Sequence, residues 1–300
     1  GSFHGRTMVS LALTGSKAIH RRGFEPLMPG VTHTLYGYCY RCPINLTYPD
    51  CSIACVDYIE DTLFRRLVPA DEVAAIFVEP IQGEGGYVVP PPGWHERLRA
   101  ICDKHGILLI FDEVITGFGR TGKPFGAQSF DVIPDMMTTA KGLSNGAVPM
   151  GAVFAQRKVH DAFMQGPENA IELFHGYTYS AHPLACAASL ATMDIYAREG
   201  LLTRAASISP KWEDALHALR GLPHVIDIRN YGLIGAIELE PRAGKPGARG
   251  YEVFTRCFEQ EDVLVRQTGD VIALSPPLII EDTHIDQIVS ALRKVISATA

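Results

Sequence analysis

Five apolar residues in a row, Ile107-Leu108-Leu109-Ile110-Phe111, run straight into two carboxylates, Asp112-Glu113. A strand that is apolar on both faces must be covered on both, as happens in a mostly parallel sheet flanked by helices. The run is far too short to span a bilayer. Burying a carboxylate at its end is costly unless a cation, a metal or a protonated ring nitrogen meets the charge. In open α/β sheets ligands collect beyond the carboxyl ends of the strands, so Asp112 stands where a site would form. Taken alone, the Asp-Glu pair also fits a helix cap or a metal-binding pair.

The neighbouring segments repeat the theme. Ala74 to Val78 reads as a second buried strand, ending at Glu79-Pro80, and Trp94 to His105 reads as a helix stopped by Gly106. Asp57 to Leu67 has helical spacing ahead of Pro69, and Pro134 to Ala140 leads to Lys141 as a third strand. A lone lysine on a Gly-flanked loop is more often a surface residue than a reactive one. Pro183 to Glu199, closed by Gly200, reads as a long helix. After Pro210 the pattern changes: Lys211 to Arg220 and Tyr251 to Glu261 read as helices, Val225 to Glu240 as strands turning at Gly232, and Leu264 to Leu274 as a hairpin. Asp282 to Ile296 is a terminal helix with Asp282 as its expected N-cap. The expectation is an α/β large domain over residues 1–205 and a smaller α+β domain over 206–300.

Three hundred residues at 47% hydrophobic content can bury two such cores. A net charge of -6 without a long Lys/Arg run argues against nucleic acid or an anionic membrane as partner. No signal-peptide pattern opens the chain, and the seven cysteines are an odd number. Reduced thiols in the cytoplasm are the expectation. Cys39, Cys42, Cys51 and Cys55 have spacing within loose zinc-ligand limits, but no histidine interleaves. A packed loop of reduced thiols is the favoured reading, and no metal is assigned.

The combination of segments resembles the class III aminotransferases, enzymes with the type I fold of pyridoxal-phosphate transferases. The resemblance rests on Ser2-Phe3-His4-Gly5-Arg6-Thr7, Phe77 to Gly86, Leu109 to Gly122, Pro134-Asp135, Ala140-Lys141-Gly142-Leu143 and His175 to Pro183, in that order. It implies pyridoxal 5'-phosphate as cofactor, with Lys141 as the Schiff-base lysine and Asp112 facing the pyridine nitrogen. It places Phe3, with its neighbour His4, and Val114 on the two faces of the ring. Thr178 would reach the cofactor phosphate of a neighbouring subunit, so a homodimer with shared sites, or a tetramer of such dimers, is expected. The plainer alternatives are core packing for Phe3, strand packing for Val114 and a helix cap for Thr178. Glu79 is retained as a secondary site residue. The family pattern also includes a phosphate-cradling loop upstream of the Phe3-His4-Gly5 motif, which this sequence does not contain.

Within the family, Ile115 stands where the 4-aminobutyrate type has Gln, and no Arg accompanies Val271 to Leu278. Val263 to Asp270 resembles instead the ω-amino acid:pyruvate type, whose matching Arg266 receives the substrate carboxylate and swings away for an amine lacking one. Planar, bidentate pairing is what an arginine offers a carboxylate. Gly142 to Ala152 favours the same group, whereas Glu79 to Gly86 and the cysteine segment look more like the 4-aminobutyrate type. In that type Glu84 would pair with an arginine missing here from its usual place, so Glu84 is left out of the expected site. The implied reaction moves an amino group from an ω-amino acid, such as β-alanine, or an amine to pyruvate. Transfer to 2-oxoglutarate, or a non-catalytic fragment, are the alternatives.

Overall fold

The computed structural model describes residues 1–169 and 173–299. Two short helices, α1 (Met8–Leu13) and α2 (Ala18–Arg21), precede a largely irregular stretch that carries Cys39, Cys42 and Cys51 to α3 (Ala54–Tyr58), which holds Cys55. The helix expected over Asp57 to Leu67 begins earlier and continues as a π-helical stretch over Ile59–Phe64, burying Ile59 and Leu63. Wider π turns shift which side chains face inward, so a period of 3.6 cannot place them.

The sheet follows: β1 (Ala75–Val78), α4 (Trp94–His105), β2 (Leu108–Asp112), α5 (Gly126–Ser129), β3 (Met136–Thr139) and β4 (Ala152–Ala155). The order is β1-β2-β3-β4, the first three parallel and β4 antiparallel to β3. Helix α4 ends at Gly106, whose φ of 69° lets its N–H reach back to Cys102 O, and a Cβ there would be strained. Its Trp94, Leu98, Ile101 and Cys102 pack with Leu109 and Phe111 of β2 in one core. Each large apolar side chain so buried contributes roughly 1.5–3 kcal/mol. Register pairs Asp112 with Thr138, so β2 and β3 end side by side, and Lys141 follows three residues after that pair.

Next come α6 (Arg157–Phe163), α7 (Pro183–Arg198) and α8 (Leu201–His217). The helix expected over Lys211 to Arg220 begins earlier, since α8 starts at Leu201 and runs through Pro210. The proline forfeits one ladder hydrogen bond, but Ala205, Ile208, Trp212 and Leu216 of the same helix are anchored in a large core. That core covers an antiparallel sheet of order β5-β6-β8-β7, formed by β5 (Val225–Tyr231), β6 (Ile234–Leu239), β7 (Arg266–Thr268) and β8 (Val271–Leu274). Helices α9 (Ala248–Glu261) and α10 (Asp282–Ser297) complete the layer. Glu281, rather than Asp282, caps α10, and its N–H donates to His284 Nδ1 at 3.2 Å. Asp282 instead sits in the first turn, where the helix dipole favours its charge.

The two sheets are tied together. Arg229 Nε donates to Gly86 O at 2.9 Å. Glu238 of β6 accepts from Tyr38 Oη at 2.7 Å and from Arg41 Nε at 2.9 Å. Among the described residues, no helix is long and apolar enough to cross a membrane.

Candidate active site

The ends of β1, β2 and β3 lie together, and each delivers one titratable group: Glu79, Asp112 and Lys141. Asp112 is buried and oriented from two directions. His4 Nδ1 lies 2.7 Å from its Oδ2, and Val114 N–H donates to its Oδ1 at 3.0 Å. The His4 ring is held edge-on against Phe77 of β1, with centroids 4.6 Å apart. Its backbone N–H donates to Thr14 Oγ1 at 2.9 Å, and that hydroxyl also donates to Gly5 O. Thr14 is fully buried, so the His4-Gly5 turn is fixed in place.

Lys141 opens a 3-10 turn (Lys141–Leu143) at φ 38°, left-handed backbone that a side-chain-bearing residue occupies only when its surroundings hold it. The residue as a whole is exposed. Partial burial of its amine lowers the pKa from the usual lysine value, an effect opposed by the charges of Asp112 and Glu79. An amine so perturbed is more readily the free base.

Glu79 is deeper. Its Oε1 accepts Phe3 N–H and its Oε2 accepts Gly83 N–H, each at 2.8 Å. Burial pushes its carboxyl up to about 8; the two N–H donors and Lys141 work against that rise, and Asp112 adds to it. Glu113, also buried, has a different task. It accepts Gly126 N–H at 2.9 Å and Ala127 N–H at 2.7 Å, and Thr116 Oγ1 donates to it, so it caps α5. Of the two carboxylates ending β2, therefore, one faces the site and the other is structural.

The ring of Phe3 lies half-buried beside His20, and the Arg6 guanidinium sits 5.7 Å from its centroid. Val114 is half-buried beyond Asp112. Arg266, at the start of β7, comes to the same region from the other sheet and forms an ion pair with Glu84. Thr268 Oγ1 adds a bond to Glu84 O at 3.3 Å. Glu84, left out of the expected site for want of an arginine in its usual place, is partnered by Arg266. Glu84 and Arg266 are 182 residues apart, and no spacing rule joins them. Thr178 is exposed on the turn before α7 and takes no part in these hydrogen bonds. The cap of α7 is His182 rather than Thr178. The cysteines are all free; Cys39, Cys42, Cys51 and Cys55 line one small cavity, and no group of three or more metal-ligating side chains is arranged to hold an ion among the described residues.

The family profile for aminotransferase class-III matches residues 1–296. The chain belongs to the class III aminotransferases. It is 59% identical to an omega-aminotransferase of Caulobacter vibrioides over 80% of this chain and 55% of that protein. It is 48% identical to a beta-alanine–pyruvate aminotransferase of Pseudomonas aeruginosa, over 78% of this chain and 53% of that one. The chain thus spans about half the length of these curated relatives. An (S)-enantioselective omega-transaminase from Thermomicrobium roseum superposes with a TM-score of 0.90 at 34% identity, covering 99% of this chain and 66% of the other. The architecture of this class III chain is accordingly the type I fold of pyridoxal-phosphate transferases.

Proposed function

We propose that the protein carrying this chain moves an amino group from an ω-amino acid, such as β-alanine, or an amine to pyruvate, with pyridoxal 5'-phosphate as cofactor. The observation that carries the proposal is the pairing of an amine of lowered pKa, Lys141, with a doubly oriented carboxylate, Asp112, at the ends of adjacent parallel strands. The donor set fits the cofactor: a lysine for its aldehyde, a carboxylate for its ring nitrogen, and Phe3 and Val114 as apolar neighbours for its faces.

When bound, the cofactor supplies an electrophilic carbon and a ring that accepts electrons. Lys141 would be the covalent anchor and, once released, the base that carries a proton between the substrate carbon and the cofactor. Asp112 keeps a proton on the ring nitrogen, and His4 and Val114 N–H hold its two oxygens in place. Arg266 receives the carboxylate of an ω-amino or keto acid, and Glu84 receives Arg266 when the donor lacks one. Glu79 is the secondary residue that anchors the Phe3 and Gly83 backbones. Thr178 is assigned to the cofactor phosphate of a neighbouring subunit in a homodimer. The division into residues 1–205 and 206–300, and a cytoplasmic location, belong to the same reading.

Transfer from β-alanine measured in parallel with pyruvate and with 2-oxoglutarate tests the proposal. Faster turnover with pyruvate is expected; a preference for 2-oxoglutarate assigns the chain to the 4-aminobutyrate type, and transfer to neither overturns the proposal.

A further inference from the structure

Glu84 has a second cation beside it. Lys17, at the N-terminal edge of α2, places Nζ 3.9 Å from Glu84 Oε2, on the side not taken by Arg266. The Glu84 side chain is only 14% exposed, against 35% for Lys17 and 55% for Arg266. A carboxylate that far from water is costly to leave unpaired. Arg266 can therefore leave Glu84 for a substrate only if something else meets the charge left behind. The same geometry sets Lys17 and Arg266 against each other, since two like charges share one acceptor. Burial lowers the Lys17 pKa, with Glu84 opposing the shift and Arg266 adding to it.

We propose that Lys17 is a specificity-determining residue: it holds Glu84 when Arg266 swings out and repels Arg266 when it swings back, and so shifts the arginine toward the substrate carboxylate. The inference rests on the assignment of Arg266 as the carboxylate receptor. It concerns the balance between two positions of one guanidinium, and the ligand class it favours is the carboxylate-bearing donor or acceptor. A ligand moves such a balance only through its different affinity for the two states. Without Lys17, Arg266 stays on Glu84, carboxylate-bearing substrates bind more weakly, and amines without a carboxylate are unaffected.

The test is a double-mutant cycle on the cofactor-loaded enzyme, with Lys17→Met, Glu84→Gln and both together. KM is measured for β-alanine and for a monoamine with no carboxylate, and propionate affinity is measured by calorimetry, which needs no turnover. Lys17→Met is expected to raise KM for β-alanine and to weaken propionate about fivefold, the scale of a partly exposed ion pair, while the monoamine KM stays within about twofold. Lys17→Arg restores the wild-type pattern. In the Glu84→Gln background most of the Lys17→Met effect disappears, because no charge remains to be held and only the direct repulsion of Arg266 is left. Equal changes for both donors, no change in propionate affinity, or an effect undiminished without Glu84 would each overturn the inference. Wild-type turnover of the monoamine checks the aminotransferase assignment separately from the gate.

Discussion

Replacing Glu79 by Gln puts a neutral group of the same shape where a buried carboxyl now sits, and the structure fixes how the effect depends on pH. Burial raises this carboxyl from the ordinary 4.5 to about 8. The folded protein thus binds the proton more tightly than the unfolded chain, so stability is fully present below pH 4.5 and is lost as pH rises toward 8. At about 1.4 kcal/mol per pH unit, the loss reaches about 5 kcal/mol above pH 8. Glutamine cannot ionise and suffers none of it. At pH 5 the protonated carboxyl still accepts both the Phe3 and the Gly83 N–H, whereas the glutamine NH2 opposes one of them, so the variant should start about 1–3 kcal/mol behind. From that starting gap the variant should gain about 2.5 kcal/mol by pH 7 and about 4 by pH 9. Urea denaturation of both proteins at these three pH values measures the difference. A constant gap, or a wild type that gains on the variant as pH rises, refutes the reasoning, because it means the ionised carboxylate is at home in its site.

Asp112→Asn keeps the shape but cannot hold a proton on the ring nitrogen, so kcat for transfer to pyruvate should fall at least about a hundredfold while the thermal midpoint barely moves. Leu109→Ala, at a fully buried position of β2, should cost about 3 kcal/mol in chemical denaturation; a loss below about 1 kcal/mol means the core collapses around the gap. Glu113→Ala leaves the Gly126 and Ala127 N–H groups unpaired and should lower stability by about 3 kcal/mol in the same assay without altering the substrate preference.

The sequence makes the frame legible wherever one local rule dominates. The apolar run before Asp112 has only one economical environment, and Gly106 ends α4 because only glycine takes its backbone freely. Lys141 and Asp112 share a site because parallel strands align their carboxyl ends, a consequence of topology. What escapes is settled by tertiary contact. The helix read from Lys211 starts ten residues earlier, at Leu201, and Ala205, Ile208, Trp212 and Leu216 hold α8 together across Pro210. The π-helical stretch after α3 has no periodic signature. Glu84 looks unpartnered until the β7–β8 hairpin brings Arg266 to it. Likewise the pairing of Glu238 with Tyr38 and Arg41 joins residues 200 and 197 apart.

The central claim is that Lys141 is the amine that bonds the cofactor, and one measurement addresses it without any substrate. The protein is loaded with pyridoxal phosphate, treated with borohydride to make the bond permanent, digested, and mapped by mass spectrometry. The account predicts a single pyridoxyl group on the peptide containing Lys141, and none when Lys141→Ala is treated in the same way. Label on another lysine, or an undiminished yield from Lys141→Ala, contradicts it.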